Sequence, residues 1–154
     1  AAQEGASYSA GSGPKLLDFG PIIGRALPLI CYEGIFPQDV NAAPARADWL
    51  LQVTNDAWFG TRAGPFQHAD QARMRAIEQG LPLIRVANTG VTAVYDARGR
   101  VLAALPFGQQ SYLDAALPGA LPATLFSRAG EWPALVLLGG LALFLIRRQS
   151  PKVS

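Results

Sequence analysis

Apolar runs separated by turn-forming residues predict most elements of this chain. Runs that end in polar residues predict three strands, at 27–33, 48–55 and 81–88. A helix is predicted over 65–79, because Pro65 suits a first helical position and Gly80 a stop.

The other stretches up to residue 133 complete a sheet. Residues 91–105 predict a hairpin that turns at Asp96–Gly99, and 109–117 predict one more strand. Small polar residues at 1–14 indicate a loop, and the Pro/Gly-rich stretch 118–133 indicates a linker. Strands interrupted by a helix and followed by a hairpin indicate an α/β sheet sandwich.

The tail from Trp132 to Ile146 carries no charge and no polar stripe, unlike an amphipathic surface helix. We expect it to cross a membrane, with a buried core helix as the alternative, because spans usually need about 20 residues. Trp132 suits one interface, and the long side chains of Arg147, Arg148 and Lys152 extend the span at the other. The positive-inside rule then predicts a cytoplasmic C-terminus and an external domain.

Composition excludes several classes of protein. Half of the 154 residues are hydrophobic and 16% are charged, which excludes a disordered chain. A formal net charge of +2 with scattered arginines excludes a nucleic-acid partner. With one cysteine and one histidine, the chain forms no intrachain disulfide and is not expected to hold a metal.

Cys31, the single cysteine, ends the first apolar run. Burial in a core is the ordinary role of a free cysteine. However, Gly34 and Pro37 end the strand at once, so Cys31 lies at its C-terminal edge, where sites gather in open α/β sheets. A nucleophilic thiol there would have the backbone N–H of Tyr32 as an oxyanion donor. Glu33 would lie on the same side if the strand continued, and a solvated turn residue is the alternative.

A polar-then-aromatic loop follows the second strand and consists of Asn55, Asp56, Trp58 and Phe59. A site wall, in which Asn55, Trp58 and Phe59 bind substrate, and a turn with a hydrophobic plug are equal alternatives. His68 would be the obvious base for a thiol, but nothing in the sequence brings it to Cys31. A Cys–His pair is therefore not favoured.

Five ordered motifs resemble the C-terminal part of the apolipoprotein N-acyltransferases, membrane-anchored members of the nitrilase, or carbon–nitrogen hydrolase, superfamily. They are "ICYE" (30–33), "NDAWFG" (55–60), "GPFQHADQARMRAIE" (64–78), "RVANTGVTAVYDARG" (85–99) and "SRAGEWP" (127–133). The resemblance implies the C-terminal part of an α-β-β-α sandwich, followed by one transmembrane helix. It places the domain in the bacterial periplasm, on the inner membrane.

The resemblance also implies a reaction and two partners. Cys31 would take an acyl group from a phospholipid as a thioester and pass it to the N-terminal amino group of a diacylglyceryl-cysteine lipoprotein. Tyr32 would supply the oxyanion donor and Glu33 a supporting acid. No metal or organic cofactor is implied. The expected divisions are 1–126 for the hydrolase-like domain, 127–148 for linker and membrane helix, and 149–154 for a cytoplasmic tail.

One departure from the family limits this expectation. The superfamily triad adds a Glu base and a Lys, both upstream of the cysteine, and neither Lys15, Lys152 nor Glu4 has the family's sequence context. We therefore expect a C-terminal fragment that is inactive alone. The alternatives are a nitrilase-type amidase and a non-catalytic, membrane-tethered remnant or interaction module.

Overall fold

A computed structural model describes residues 11–149, so most of the loop expected at 1–14 lies outside the described residues. The elements, in chain order, are β1 (Leu17–Asp18), α1 (Gly20–Ile23), β2 (Arg25–Ile30), a 3₁₀ turn (Cys31–Ile35), α2 (Pro37–Asn41), β3 (Trp49–Asn55), a second 3₁₀ turn (Asp56–Phe59), α3 (Ala63–Gln79), β4 (Leu83–Asn88), β5 (Ala93–Tyr95), β6 (Val101–Ala104), α4 (Leu125–Ala129) and α5 (Trp132–Gln149). The two 3₁₀ turns are called the Cys31 turn and the Asp56 turn below.

The described strands form one mixed six-stranded sheet in the order β1-β2-β3-β4-β5-β6. The central strands β2, β3 and β4 are parallel, and the flanking pairs are antiparallel. Parallel strands end at a common edge, so the Cys31 turn, the Asp56 turn and the β4–β5 loop meet there. This edge is the one that the sequence predicted for a site.

Helix α3 covers one face of the sheet. Ala72 and Ala76 of α3 are fully buried and belong to one apolar cluster with Leu27, Leu50 and Leu83 of the three parallel strands. The small alanine side chains allow the helix backbone to lie close to the strands. Gly80 ends the helix in the left-handed conformation, at φ +63°, which a residue without Cβ adopts at low cost.

The opposite face of the sheet is uncovered in the described residues. Successive side chains of a strand point to opposite faces, so the neighbours of the buried positions face away from α3. Ile30, Val53 and Val86 lie side by side in the register across β2, β3 and β4 and are 57%, 45% and 47% exposed. We call this row, together with Pro28, Leu51 and Ile84 beside it, the open sheet face.

Most predicted elements are confirmed, with three corrections. The strand expected at 27–33 ends at Ile30, because the backbone turns at Cys31. No strand forms at 109–117, where the side chains are mostly exposed and no strand of the sheet provides a partner. The linker expected at 118–133 contains the short helix α4, which Thr124 caps by accepting a hydrogen bond from the Ser127 N–H at 3.0 Å.

Helix α5 (Trp132–Gln149) covers the run 132–146 in which the membrane span was predicted. Nevertheless, none of the helices in the part of the chain that the structure describes has the length and apolar character to cross a bilayer. The uncharged run 132–146 is 15 residues long, against the roughly 20 that a bilayer core requires. The predicted span is therefore not confirmed.

Candidate functional site

Cys31 occupies a sharp turn at the end of β2. Its backbone has φ +51°, and within 11–149 only Cys31 and Thr89 among non-glycine residues have a positive φ. An L-residue in this left-handed region is strained by about 1 kcal/mol or more, and such strain concentrates at functional sites. The cysteine is half-buried and free of any disulfide. A single thiol is thus held at the strand edge by an unusual backbone.

Glu33 caps the turn that Cys31 begins. Its Oε2 atom accepts a hydrogen bond from the backbone N–H of Ile30 at 2.7 Å. The 3₁₀ geometry overturns the premise that a continued strand places Glu33 on the same side as Cys31. The carboxylate therefore maintains the shape of the turn, and its role as a supporting acid stays a prediction.

Gln52 of β3 contacts the Cys31 turn from the side of the sheet. Its side chain is fully buried, and Nε2 donates to the backbone carbonyl of Cys31 at 3.0 Å. Gly34 lies against the same amide, since a Cβ at position 34 would be 2.2 Å from Gln52 Nε2. Gln52 and Gly34 together fix the backbone that follows the thiol.

Three further polar side chains form a buried cluster behind Gln52. Asp56 accepts from His68 Nδ1 at 2.8 Å, from Arg85 Nη2 at 2.8 Å and from Thr54 Oγ1 at 3.0 Å. Asp56 and Arg85 are completely buried, and His68 is 2% exposed. The second ring nitrogen of His68 lies 3.4 Å from Gln52 Nε2. We call Gln52, Asp56, His68 and Arg85 the buried polar cluster.

The pKa of Asp56 reflects this environment. Burial raises it, but the hydrogen bond and the charge of Arg85, with the hydrogen bonds from His68 and Thr54, outweigh burial and hold the pKa below its ordinary value. Asp56 is therefore a carboxylate at neutral pH. A buried carboxylate needs such partners, because an unpaired buried charge is expensive.

The structure places His68 close to the Cys31 turn, which the sequence did not predict. Its ring centroid lies 6.0 Å from that of Tyr32 and 5.0 Å from that of Phe59. Its ring nitrogens face Asp56 and Gln52. His68 therefore contacts Cys31 only indirectly, through Gln52, which donates to the backbone carbonyl of Cys31. This geometry agrees with the view that a direct Cys–His pair is not favoured.

The loop after β3 has features of both predicted alternatives, a site wall and a turn with a hydrophobic plug. Phe59 stacks on Tyr32 with ring centroids 6.3 Å apart, as a hydrophobic plug would. Trp58 is 85% exposed, as a site wall would require. Asn55 accepts a hydrogen bond from the Ala57 N–H at 3.1 Å and so caps the Asp56 turn. All three lie at the strand edge that carries Cys31, and their binding of substrate stays a prediction.

Sequence reasoning missed Gln52 and Arg85. A signal was present, because the central strands of a parallel sheet are normally apolar on both faces. The runs "LLQVTN" and "LIRVAN" each place one polar residue amid apolar neighbours. Such a residue, if buried, needs partners, and the partners are what define this cluster.

An open groove of about 550 Å³ begins beside the Cys31 turn and follows β2. Its lining includes Ile30, Glu33 and residues 11–15. In the described residues, no group of three or more His, Cys, Asp or Glu side chains is placed to hold a metal ion.

A thiol at a strained strand-end turn on a mixed sheet agrees with the family comparison. The chain belongs to the carbon–nitrogen hydrolase family, whose model matches residues 6–122. Among curated proteins, it is 53% identical over 127 residues to the apolipoprotein N-acyltransferase of Bradyrhizobium diazoefficiens, covering 82% of this chain and 24% of that protein. It is 47% identical over 127 residues to that of Shewanella oneidensis, covering 81% and 24%. The chain thus spans about a quarter of the length of these relatives.

Solved structures show a similar fold. A variant of the amidase from Nesterenkonia sp. AN1, showing Michael addition of acrylamide at the active site cysteine, matches with a TM-score of 0.52 and 26% identity. The match covers 64% of this chain and 40% of that one. A carbon–nitrogen hydrolase from Helicobacter pylori G27 matches at 17% identity with a TM-score of 0.54, over 67% and 43%, which supports the fold alone.

Proposed function

We propose that this chain is the thiol-bearing C-terminal part of an apolipoprotein N-acyltransferase. The observation that carries the proposal is Cys31, the only cysteine of the chain, at a left-handed turn on the carboxyl edge of the sheet. Support comes from relatives of about 50% identity that carry this name, and from an amidase of the same family that reacts at its active site cysteine.

The proposed reaction has two steps. The Cys31 thiolate attacks an ester carbonyl of a phospholipid, a C–S bond forms, and the C–O bond breaks as the lysophospholipid hydroxyl leaves with a proton. The N-terminal amine of the diacylglyceryl-cysteine lipoprotein then attacks the thioester, giving an amide and regenerating the thiol. The Tyr32 backbone N–H stabilises the oxyanion in both steps, and Glu33 preserves the turn that presents it. No metal or organic cofactor takes part in this proposal.

The proposed site wall consists of Asn55, Trp58 and Phe59. An indole that is 85% exposed at the strand edge offers an apolar surface for acyl chains. Phe59 and Tyr32 form the base of the same wall through their stacked rings.

The remainder of an α-β-β-α sandwich is proposed to cover the open sheet face. Ile30, Val53 and Val86 expose about half of their surface on a face of regular strands, and apolar faces of this kind are normally buried against a second layer. We propose that the rest of the polypeptide supplies this layer together with the Glu base and the Lys. The chain alone would therefore be inactive.

We also propose a location at the bacterial inner membrane, with the domain in the periplasm and the C-terminus in the cytoplasm. Helix α5 exposes apolar side chains, including Leu137 at 73% and Phe144 at 59%. Arg147 and Arg148 follow them, and their long side chains extend the reach of a short apolar run. A cysteine engineered at Ser154 in a Cys31→Ser background should resist an impermeant thiol reagent in intact spheroplasts and react after lysis. Labelling of intact spheroplasts would reverse the proposed orientation.

The deciding experiment uses the full-length polypeptide that carries this chain, in vesicles of phospholipid with labelled acyl chains. We expect mass spectrometry to find the acyl group on Cys31, and we expect its transfer to an N-terminal diacylglyceryl-cysteine peptide. The Cys31→Ala variant should carry no label.

The amidase alternative rests on the structural similarity to the Nesterenkonia enzyme. Release of ammonia from butyramide without any phospholipid-derived thioester would support that alternative against the acyltransferase. Absence of both activities in the full-length polypeptide would favour a non-catalytic module.

A further inference from the structure

We propose that Gln52 is a positioning residue for the Cys31 nucleophile, and that His68, Asp56 and Arg85 fix the orientation of its amide. The inference rests on the proposed function, because it concerns how the thiol is presented for acylation. None of these four side chains needs to touch the substrate.

The backbone of Cys31 requires support from its surroundings. A left-handed φ of +51° is unfavourable for cysteine, so surrounding contacts must hold it. Glu33 holds the start of the turn through the Ile30 N–H, and Gln52 holds the Cys31 carbonyl from the sheet side. Because Gln52 is completely buried, water does not replace its hydrogen bond easily.

The hydrogen bonds of the buried polar cluster have a preferred direction. Arg85 donates only, and Asp56 as a carboxylate accepts only. His68 Nδ1 lies 2.8 Å from Asp56 Oδ1 and 3.1 Å from Arg85 Nη2, and we assign Nδ1 as the donor to Asp56 and Nε2 as an acceptor. Gln52 Nε2 has two hydrogens and lies 3.0 Å from Cys31 O and 3.4 Å from His68 Nε2. The chain of donors and acceptors thus points the NH₂ group of Gln52 at the turn.

The amide oxygen of Gln52, Oε1, is buried and lacks a hydrogen-bond partner within the described residues. A buried acceptor without a partner costs free energy, so the amide would turn over if nothing opposed it. Turning it over would place Oε1 against Cys31 O and against the His68 lone pair. The cost is therefore tolerated because the donor is needed on the side of the cysteine.

The consequence is a rigid thiol. Catalytic groups must be held close to productive geometry, and a displacement of about 1 Å costs roughly 100-fold in rate. A substitution that removes the donor should therefore slow the chemical step without weakening phospholipid binding, since Gln52 lies beneath the turn and is inaccessible.

The first test compares Gln52→Met with the matched control Gln71→Met on the exposed side of α3, in the full-length polypeptide. We expect Gln52→Met to lower the maximal rate of Cys31 acylation roughly tenfold or more, with an unchanged half-saturating phospholipid concentration. Gln71→Met should leave both unchanged. An unaltered maximal rate in Gln52→Met would overturn the inference.

The second test separates positioning from folding through His68. In His68→Asn the amide can still donate to Asp56 but is too short to accept from Gln52. In His68→Gln the longer side chain offers an acceptor where Nε2 was. We expect His68→Gln to recover to within about threefold of the wild-type rate, and His68→Asn to stay about as slow as Gln52→Met. Equal rates in the two His68 variants, at equal thermal stability, would overturn the inference.

A third probe separates this inference from the proposed substrate. p-Nitrophenyl butyrate is a simple ester that acylates a thiol and releases p-nitrophenol without any lipid. If wild-type protein reacts with this ester and not with phospholipid, the proposed function fails while the Gln52 and His68 comparisons still apply. If Gln52→Met does not fold, Gln52→Leu replaces it, since this side chain is also apolar and cannot donate to Cys31. A wild-type protein that neither ester acylates would overturn both proposals.

Discussion

Two glycines of this chain lie where a methyl group would strike a buried side chain. A Cβ at position 34 would be 2.2 Å from Gln52 Nε2, and one at position 90 would be 2.2 Å from Asp56 Oδ2. The Cys31 turn and the β4–β5 loop therefore close over the buried polar cluster at contact distance. At this scale, glycine is required because it has no side chain.

Gly34→Ala should destabilise the protein, since Gln52 must move for the methyl group to fit. We expect a loss of about 1–3 kcal/mol in the free energy of unfolding, measured by denaturant unfolding of the full-length polypeptide. Gly119→Ala is the control, because nothing lies within 4 Å of a Cβ there. Equal stability of the two variants would show that the turn adjusts freely.

Asp56 should make stability depend on pH at the acid end. Its folded pKa is below the ordinary value of 3.8, so its stabilising contribution is present in full above about pH 4–5 and is lost as pH falls through the folded value. Asp56→Asn should cost about 3–5 kcal/mol near pH 7, because Arg85 is then buried without a counter-charge. The deficit should shrink on acidification.

The measurement is thermal unfolding of wild type and Asp56→Asn between pH 3 and 7. Asp70→Asn is the matched control, since the Asp70 side chain is 73% exposed in a surface pair with Arg73. A deficit for Asp56→Asn that does not change with pH would contradict the assigned pKa direction.

At the scale of elements, helix α3 is held to its neighbours by arginines. Arg75 Nη1 donates to the Ile35 carbonyl at 2.6 Å, which ties the helix to the Cys31 turn. Arg75 also pairs with Glu78 at 2.6 Å, and burial raises the pKa of Glu78 although Arg75 opposes it. Arg46 Nη2 donates to the carbonyls of Gln79 and Leu121 at 3.1 and 2.8 Å. The helix is thus fixed at both the site and its C-terminal end.

Arg46→Met should release the 118–122 segment from the end of α3. The Leu121 N–H donates to Gly80 O at 2.9 Å, and Arg46 bridges the same two stretches. We expect hydrogen exchange at Leu121 to accelerate roughly tenfold, with Arg98→Met, at an exposed position between β5 and β6, as the control. Unchanged exchange at Leu121 would mean that the segment is held without Arg46.

At the scale of the whole molecule, the open sheet face is an apolar surface that no second layer covers in the described residues. The buried face carries α3, and the opposite face carries apolar side chains of equally regular strands. If this second face met only solvent, its apolar side chains would stay exposed and the hydrophobic burial of the sheet would be incomplete. The proposed second layer would therefore stabilise the fold as well as supply catalytic residues.

Val53→Asp tests this surface in the full-length polypeptide. Val53 is 45% exposed here, and a charge would be tolerated if the face met only water. If a second layer covers it, the buried aspartate should destabilise the protein by more than about 2 kcal/mol, seen as lost protease resistance. Ile22→Asp, at a residue 96% exposed, is the control. Equal tolerance of both aspartates would contradict the proposed layer.

Much of the fold was predictable because its signals are local. The apolar runs of β2, β3 and β4 and the Gly80 end of α3 each depend on neighbouring residues alone, whereas α3 begins at Ala63 and not at the predicted Pro65. The strand expected at 109–117 was wrong, since its pattern has no partner strand. Pairing is a long-range property that a local pattern does not contain.

The sequence by itself determined the type of fold, the edge at which Cys31 lies and the candidate loop after β3. The tertiary structure decided what surrounds the cysteine. Gln52 and Arg85 lie opposite each other in the β3–β4 register, and His68 reaches them only when α3 packs on the parallel strands. Buried polar side chains need hydrogen-bond partners, and here these partners lie far apart in the sequence, so their role cannot be inferred from the local pattern. Cys31 was therefore visible as a candidate nucleophile in the local pattern, and the residues that surround it were visible only in the packed structure.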